Sequence, residues 1–310
     1  MKTYMKEILA RLKESKTYFN KQMQDYNTFK LKCRAKVFVE ICTFSDLAEL
    51  INLIKKHKLK SFCIGGGSKV LLPPVFDGVI YKLSGAFCKL SKYKGNIFVG
   101  GGVCMTTLCN YCIKNNFACV EWGLGIPCCV GGGVYMNAGC FGKCFGDVVE
   151  KVFYTDGSKI YSKKASECNF GYRQSFFQNK SYIILFIVLK TFYDTSVKQK
   201  TIEYFNKKKA SQPYNYPSVG SIFKSCCLPA PLFIEDVNLK GKKVGGAMVS
   251  NKHCNFIVNT KNCTQKQVLK IICKIKKTVW KKDAILLHNE VVLLGGKHGL
   301  FRWLSYTYCT

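Results

Sequence analysis

The sequence is poor in acidic residues and histidine and has no long apolar run. Its 310 residues include 18 Asp and Glu against 48 Lys and Arg, and the net charge at pH 7 is +30. The longest apolar run, from Tyr182 to Leu189, has eight residues, whereas a membrane-spanning helix needs about 20. The first 16 residues are charged throughout and contain no apolar core, so we expect neither membrane insertion nor a secretory signal.

The low histidine count also argues against a zinc site. The four histidines are not paired at the spacing of metal ligands, and we expect no metal. One cysteine spacing, Cys104-x4-Cys109-x2-Cys112 followed by Cys119, resembles that of plant-type iron–sulfur proteins. The same segment has the apolar stripe of a helix that begins near Thr106, and buried free cysteine behaves as a small apolar residue. We therefore favour a structural role for these cysteines and keep the cluster as the lesser alternative.

The positive charge is spread along the chain rather than clustered. The longest lysine run, at 207–209, has three residues, and pairs such as 276–277 are scattered along the sequence. A nucleic-acid-binding surface needs basic residues gathered on one face. The pattern therefore favours a general lysine bias together with a polyanionic ligand, and we expect no nucleic acid as a partner. With 48% hydrophobic residues, the chain is long and apolar enough for a globular fold of two or three domains.

Glycine, in contrast, is dense in three places. The apolar stretch from Glu121 to Asp147 holds eight glycines, Gly65–Gly67 and Ser68 follow a short apolar run, and three more glycines lie at 100–102. Glycine inside an apolar segment indicates backbone that is tightly turned or pressed against a ligand. None of the three matches the dinucleotide fingerprint or the Walker loop. Together they predict one large phosphate-bearing cofactor contacted by several loops, and a glycine-rich core turn without a ligand is the alternative.

Three residues from distant segments have the chemistry of a catalytic site. Arg173 lies among aromatic residues, where a guanidinium needs an anion such as a carboxylate. Ser221 follows Gly220 in a turn, and Glu290 lies in a predicted apolar strand, where an unpaired carboxylate is unfavourable. The alternatives are a structural salt bridge for Arg173, a capping role for Ser221 and an ion-pair partner for Glu290. The residue pattern alone does not bring the three together.

The order of elements predicts an α+β protein. A strand at 37–41, a helix that begins after Thr43 and a strand that ends at Ile64 precede a strand-rich middle. Thr264 is predicted to cap the last helix, and residues 286–293 are predicted to form a closing strand. We expect an N-terminal basic helix at 1–26, a cofactor domain at 27–195 with two subdomains at about 27–90 and 91–195, a linker helix at 196–210 and a last domain at 211–310.

Six motifs occur in the order that is typical of one protein family. They are Gly65-Gly66-Gly67-Ser68-Lys69-Val70-Leu71; Gly125-Ile126-Pro127 through Gly131-Gly132, with Tyr135-Met136-Asn137-Ala138-Gly139 and Gly146-Asp147; Tyr172-Arg173-x-Ser175-x-Phe177; Pro217-Ser218-x-Gly220-Ser221-x-Phe223-Lys224; 239–247 with 255–259; and Glu290-Val291. In these motifs, over roughly residues 27–295, the chain resembles the UDP-N-acetylenolpyruvoylglucosamine reductases, the MurB family. Arg173 and Ser221 are 48 positions apart, which resembles the subtype that lacks an extra substrate-clamping insertion.

The resemblance implies an α+β fold, with a two-lobed FAD-binding domain of the PCMH/VAO type followed by a smaller α+β substrate-binding domain. It implies that NADPH reduces non-covalently bound FAD, and that the enolpyruvyl ether of UDP-N-acetylglucosamine then takes up the reducing equivalents to form UDP-N-acetylmuramate. Arg173 and Glu290 would stabilise the enol form of the substrate carboxylate, and Ser221 would donate a proton to the adjacent carbon. The reaction belongs to peptidoglycan synthesis, and we expect a cytoplasmic monomer.

The same resemblance assigns the remaining site residues. Tyr172 and Lys224 would bind the substrate. At Lys69 the family usually has Asn, while Cys128-Cys129 and Ser225-Cys226 stand in place of Gly-Ser and Asn-Pro, so we expect an active enzyme with altered contacts to FAD and substrate. The cofactor-binding residues would be Gly65, Gly66, Gly67, Ser68, Lys69, Val70, Gly102, Gly125, Ile126, Pro127, Gly131, Gly132, Asn137 and Ala138.

Two other functions fit parts of the sequence. Another FAD-dependent oxidoreductase with the same domain type would share the glycine loops but should lack the serine motif and Glu290. A non-catalytic basic binding module would need clustered charge. Both alternatives predict little NADPH oxidation that depends on the enolpyruvyl substrate.

Overall fold

The computed structural model describes residues 3–295, which form two compact units. Unit 1 comprises the chain up to Lys21, Lys36–Gly66 and Asp77–Lys208. Unit 2 comprises Gln22–Ala35, Gly67–Phe76 and the chain from Lys209 onward. The first glycine loop is therefore divided between the two units, after Gly66.

Eight α-helices occur within the described residues. They are α1 (Thr3–Arg11), α2 (Phe44–Lys56), α3 (Met105–Asn115), α4 (Val130–Tyr135), α5 (Phe145–Val148), α6 (Val197–Ser211), α7 (Ala230–Asp236) and α8 (Gln265–Asp283).

The strands within residues 3–295 are mostly short. They are β1 (Lys16–Gln22), β2 (Arg34–Ile41), β3 (Ser61–Cys63), β4 (Val70–Leu71), β5 (Val75–Leu83), β6 (Leu90–Tyr93), β7 (Asn96–Gly100), β8 (Phe117–Ala118), β9 (Gly139–Cys140), β10 (Lys143–Cys144), β11 (Val149–Thr155), β12 (Ile160–Lys164), β13 (Ile183–Leu189), β14 (Phe192–Tyr193), β15 (Ser218–Ser221), β16 (Lys243–Val244), β17 (Ala247–Val249), β18 (Phe256–Asn259) and β19 (Val292–Leu293).

Unit 1 contains two larger sheets and two apolar clusters, besides the two-stranded pairs β9-β10 and β8-β14. The first has the order β1-β2-β5-β3, and β3 runs parallel to β5. The second has the order β12-β11-β13-β7-β6 with antiparallel neighbours. The buried faces of α1 and α2 pack with the first sheet, whereas α3, α4 and the aromatic Trp122 pack with the second.

Unit 2 is built on the antiparallel sheet β15-β18-β17-β16. Helix α8 packs on β16 and β17. Its apolar stripe of Val268, Ile271, Ile272, Ile275 and Val279 is buried, as the 3.6-residue period of the sequence predicts. A short parallel pair joins β4 to β19, with Val70 opposite Val292.

Two predicted helix starts are confirmed. The side-chain oxygen of Thr43 accepts a hydrogen bond from the main chain of Asp46 at the start of α2. Thr264 and Gln267 form a reciprocal capping box at the start of α8. Both caps satisfy N–H groups that have no partner within the helix, so they can be found from local sequence.

The structure corrects two predicted elements. The N-terminal helix ends at Arg11 rather than near residue 26, because Lys16–Gln22, which contains Thr17, Tyr18 and Phe19, forms the edge strand β1. The closing strand is confined to Val292–Leu293, so Glu290 lies just before it.

The predicted domain boundaries remain predictions. The two compact units follow the chain differently, since Gln22–Ala35 and Gly67–Phe76 lie in unit 2. Helix α6 spans Val197–Ser211, where the sequence predicts a linker helix. Residues 296–310 of the predicted last domain lie outside the described residues.

Candidate functional site

The first and second glycine stretches touch each other in unit 1. A Cβ atom on Gly66 would lie 2.3 Å from the carbonyl oxygen of Pro127, which is far inside van der Waals contact. A Cβ atom on Gly65 would lie 3.5 Å from Cys129 Cβ and 3.9 Å from Gly132 Cα. Glycine at position 66 is therefore required by the close approach of two main chains.

The third glycine cluster, at 100–102, contacts the second glycine stretch. Gly131 N donates to Gly101 O at 2.9 Å, and a Cβ atom on Gly131 would lie 3.0 Å from that oxygen. Val130 N donates to Val103 O at 2.8 Å. We call the main chain of Gly65, Gly66, Gly101, Gly131 and Gly132 the glycine cradle. A Cβ atom on Gly132 would have no heavy atom within 4 Å, so the cradle has open space beside this residue.

Asn137 ties the second glycine stretch to the segment that carries Arg173. Its side-chain nitrogen donates to Gly171 O at 2.8 Å, and its side-chain oxygen accepts from Gly146 N at 2.8 Å. Ser175 Oγ donates to Tyr135 O at 2.7 Å. Asn137 is buried and has a φ of +43°, a left-handed conformation that Asn tolerates better than most residues. Its side chain is therefore a structural link in the arginine loop.

Arg173 is held by this loop in a defined orientation. Its φ is +54°, and its Nη2 donates to Gly139 O at 2.8 Å. The guanidinium also lies over the ring of Tyr172, 5.1 Å from its centroid. The Tyr172 side chain is exposed. A guanidinium carries five N–H donors in a fork whose geometry matches that of a carboxylate.

Lys208 supports the second glycine stretch, a role that its sequence context does not indicate. It is 1% exposed and donates from Nζ to Trp122 O at 2.7 Å and to Leu124 O. Burial lowers its pKa. The lysine run 207–209 looks like a solvated face in the sequence, so only the fold shows that its middle member lies inside. It fixes the main chain immediately before Gly125, whose φ is +85°.

In unit 2, Ser221 and Glu290 belong to neighbouring segments. Ser221 ends β15 and pairs with Phe256, and it follows Gly220, which has a φ of +71°. Glu290 N donates to Ile222 O at 2.7 Å. The Glu290 side chain is only 5% exposed. The main chain thus places the glutamate next to the serine turn.

Lys69 connects these two residues through its side chain. Its Nζ lies 2.8 Å from Glu290 Oε1 and donates to Ser221 O at 2.7 Å. The ion-pair alternative for Glu290 is therefore what the structure contains. The family resemblance places Lys69 in a loop that binds FAD. Its ammonium instead contacts Ser221 and Glu290, the two residues of unit 2 that the resemblance implies are catalytic.

Other assigned residues also lie in unit 2. A Cβ atom on Gly67 would lie 2.1 Å from Tyr26 O, so the loop passes tightly over that segment. Val70 is buried in β4. Lys224 N donates to His288 O at 2.8 Å. Burial and the nearby charges of Lys276 and Lys224 lower the pKa of His288.

The cysteines of the iron–sulfur-like spacing lie in different environments. Cys109, Cys112 and Cys119 are part of the apolar core of unit 1, whereas Cys104 is exposed. Burial raises the pKa of Cys109, which disfavours the thiolate that metals bind. Within residues 3–295, no group of three or more ligand-type side chains could hold a metal ion. In the same range, no helix combines the length and the apolar character needed to cross a bilayer.

The structure thus assembles two groups of the assigned residues. Unit 1 joins the glycine cradle, Asn137 and Arg173, and unit 2 joins Ser221, Glu290 and Lys69. The cradle fits a large phosphate-bearing cofactor, because its surface is main chain from several loops with open space beside Gly132. FAD is consistent with that fit.

Comparison with known families identifies both parts of the chain. A family model described as "FAD binding domain" matches residues 35–157. A second, described as "UDP-N-acetylenolpyruvoylglucosamine reductase, C-terminal domain", matches residues 212–294. The predicted fold class, an FAD-binding domain followed by a smaller α+β domain, is confirmed.

Individual relatives match over nearly the whole chain. The UDP-N-acetylenolpyruvoylglucosamine reductase of Caldanaerobacter subterraneus subsp. tengcongensis is 35% identical and aligns with 94% of this chain and 97% of its own length. That of Borreliella burgdorferi is 33% identical, with 89% and 94% covered. The crystal structure of the Thermus caldophilus reductase has a TM-score of 0.76 and 26% identity, and the match covers 91% of this chain and 99% of that one.

Proposed function

Because this chain belongs to the UDP-N-acetylenolpyruvoylglucosamine reductase family, we propose that it reduces the enolpyruvyl ether of UDP-N-acetylglucosamine to UDP-N-acetylmuramate through FAD, with NADPH as the donor. The reduction is a step in peptidoglycan precursor synthesis. The observation that carries the proposal is the arrangement in unit 2, where a serine and a buried glutamate share one ammonium partner. Such an arrangement suits a substrate whose carboxylate gains charge as it reacts.

The glycine cradle would hold the FAD phosphates through the main-chain N–H groups of Gly65, Gly66 and Gly132, because those of Gly101 and Gly131 donate to main-chain carbonyls. Gly65, Gly66 and Gly102 lie in loops that follow strands, and Gly131 and Gly132 open helix α4. Gly125, Ile126 and Pro127 would be positioned by the Lys208 contacts, and Asn137 and Ala138 would border the same surface. Gly67, Ser68 and Val70 complete the proposed set. FAD, when bound, would accept reducing equivalents from NADPH and pass them to the enolpyruvyl group.

The protein residues would supply orientation and proton transfer. Arg173 would bind the substrate carboxylate, since a guanidinium fork matches the geometry of a carboxylate. Glu290 would stabilise the enol form of that group. Ser221 Oγ would donate a proton to the carbon that bears the carboxylate. Tyr172 and Lys224 would bind the substrate, with Lys224 facing its diphosphate. A cytoplasmic location and a monomeric state complete the proposal.

The test is an anaerobic absorption experiment on the purified protein. Flavin bands should be visible or should appear after reconstitution with FAD. They should bleach when NADPH is added and return when the enolpyruvyl ether of UDP-N-acetylglucosamine follows. UDP-N-acetylglucosamine without the enolpyruvyl group is the matched control and should leave the bands bleached.

Two outcomes would contradict the proposal. Bleaching that the enolpyruvyl substrate does not reverse would indicate a flavoprotein with a different acceptor. A protein that neither contains nor takes up FAD would contradict the cofactor assignment itself and favour a binding module.

A further inference from the structure

Lys69 has an unusual set of contacts for a residue in a cofactor loop. Its ammonium lies between Glu290 Oε1 at 2.8 Å and Ser221 O at 2.7 Å. A Cβ atom on Gly220 would lie 3.3 Å from Nζ and 3.7 Å from Cε of the lysine. The end of the lysine side chain therefore passes close to the glycine of the serine turn, and a side chain at position 220 would crowd it.

The ion pair of Lys69 is mostly removed from water. The Glu290 side chain is 5% exposed and that of Lys69 is 27% exposed. Most other ion pairs in the described residues have at least one partner that is half exposed or more, such as Lys240 with Glu235 at 45% and 56%. A shielded pair is weakly screened and sensitive to geometry, whereas an exposed pair contributes little. A buried carboxylate without its cation would be strongly disfavoured.

The main chain brings the same three residues together. Lys69 O accepts from Val292 N at 2.8 Å, two residues after the glutamate. Glu290 N donates to Ile222 O at 2.7 Å, one residue after Ser221. The glutamate is thus anchored on one side to the serine segment and on the other to the lysine segment. The ammonium of Lys69 adds a contact to the carboxylate itself, 2.8 Å from Oε1.

We propose that Lys69 is a positioning residue for the reduction: its ammonium ties the Glu290 carboxylate to the main chain of Ser221 and so keeps the two groups at one relative position. This inference rests on the proposed function, in which Ser221 and Glu290 act on the substrate. Lys69 acts through those two residues and not by contacting FAD. Its side chain therefore matters for the step that involves the enolpyruvyl substrate and not for flavin reduction by NADPH.

The variants K69M, K69R and K240M test this role. Met matches the length of Lys without its charge, Arg keeps the charge, and K240M removes the exposed Lys240–Glu235 pair as a control. In stopped flow, K69M should slow reoxidation by the enolpyruvyl substrate by about 100-fold, the order expected when a catalytic group is misplaced by about 1 Å. Reduction by NADPH and the FAD dissociation constant should stay within about threefold. K69R should recover at least about tenfold over K69M, and K240M should match wild type.

A double-mutant cycle with E290Q isolates the coupling. If Lys69 acts through Glu290, K69M should change reoxidation by less than about threefold when Glu290 is already Gln. The same four proteins without FAD provide a readout that does not depend on activity. K69M should lower the urea midpoint of unfolding in the Glu290 background and much less in the E290Q background.

The outcomes separate this inference from the proposed function. A wild-type protein that does not reduce the enolpyruvyl substrate would overturn the proposed function and this role for Lys69 with it. An active wild type with an equally active K69M, or additive effects in the cycle, would overturn the role of Lys69 alone. A K69M protein that loses FAD affinity and NADPH reduction together would place the lysine on the cofactor instead.

Discussion

Replacing Gly132 with alanine separates the proposed FAD contact from the stability of the fold. The glycine lies in the first turn of α4, and an added Cβ would meet no heavy atom within 4 Å. Alanine is favoured over glycine inside a helix by about 0.5–1 kcal/mol. G132A should therefore raise the free energy of unfolding of the protein without FAD by about that amount, a shift of about 1–3 °C in Tm.

FAD binding by G132A should change in the opposite direction. If the cofactor lies over the glycine cradle, the new methyl group occupies part of its space. An extra methyl forced into a close-packed contact costs about 1–3 kcal/mol, which corresponds to an increase of about 5- to 150-fold in Kd. The combination of a more stable protein and weaker FAD binding is specific to this placement of the cofactor.

G66A is the matched comparison. Its Cβ would lie 2.3 Å from Pro127 O and 2.9 Å from Cys128 Cα, both of them main-chain atoms. The two loops would have to separate, so G66A should lose both stability and FAD affinity.

Thermal unfolding of the protein without FAD and titration by flavin fluorescence measure the two quantities for G132A and G66A. A Kd for G132A within about twofold of wild type, against the 5- to 150-fold expected, would refute the placement of FAD beside Gly132. A lower Tm for G132A would refute the inference that a methyl group at position 132 has open space around it.

Three further substitutions test other parts of the structure. K208M removes a buried donor from two main-chain carbonyls, which should lower the free energy of unfolding by about 1–3 kcal/mol. The net loss measured in urea titrations should be smaller, because the variant no longer has to bury an ammonium group. A stability equal to wild type would contradict this. N137A should lower kcat and the urea midpoint of unfolding, because the arginine loop loses the hydrogen bond from Asn137 to Gly171 O. The control is N262A, at an exposed Asn with a φ of +45°, which should lower the urea midpoint only by the cost of placing Ala in a left-handed conformation. Burial lowers the pKa of Lys276 to about 8. The folded chain gives up this proton at a lower pH than the unfolded chain, so the lysine opposes folding fully below pH 8, and the penalty fades as the pH rises from 8 toward the unfolded value. K276M should therefore stabilise the protein by up to about 3 kcal/mol at pH 7 and by less at pH 10, and an equal gain at both would contradict the assignment.

Several local features could be predicted from the sequence because they depend on neighbouring residues. Thr43 and Thr264 cap helices whose first N–H groups lie within three residues of the cap. The apolar period of α8 marks its buried face. The glycine clusters also identified the loops that form the cradle, since close contact of main chains excludes larger residues wherever it occurs.

Predictions from local sequence were wrong where contacts between distant segments outweigh the local preference for a strand or for solvent exposure. Glu290 lies in an apolar run that resembles a strand, but Asn289 bridges to Phe223 and the parallel pairing with β4 begins only at Val292. Lys208 lies within a lysine run that looks solvated, yet it is buried against Trp122. In both cases the residue type and its neighbours are compatible with two environments, and the packing of remote segments selects one.

The sequence by itself determined the glycine loops, the helix caps and the family resemblance, because motifs and caps are encoded within a few residues. Only the tertiary structure decided the partner of Glu290. Lys69 and Ser221, whose carbonyl it binds, are 152 positions apart. No sequence pattern in either segment predicts contact with the other. Their contact follows from the register of β4 against β19 and of the serine segment against the glutamate segment. Strand register is a property of the folded sheet as a whole, and for that reason the ion pair could be seen only in the structure.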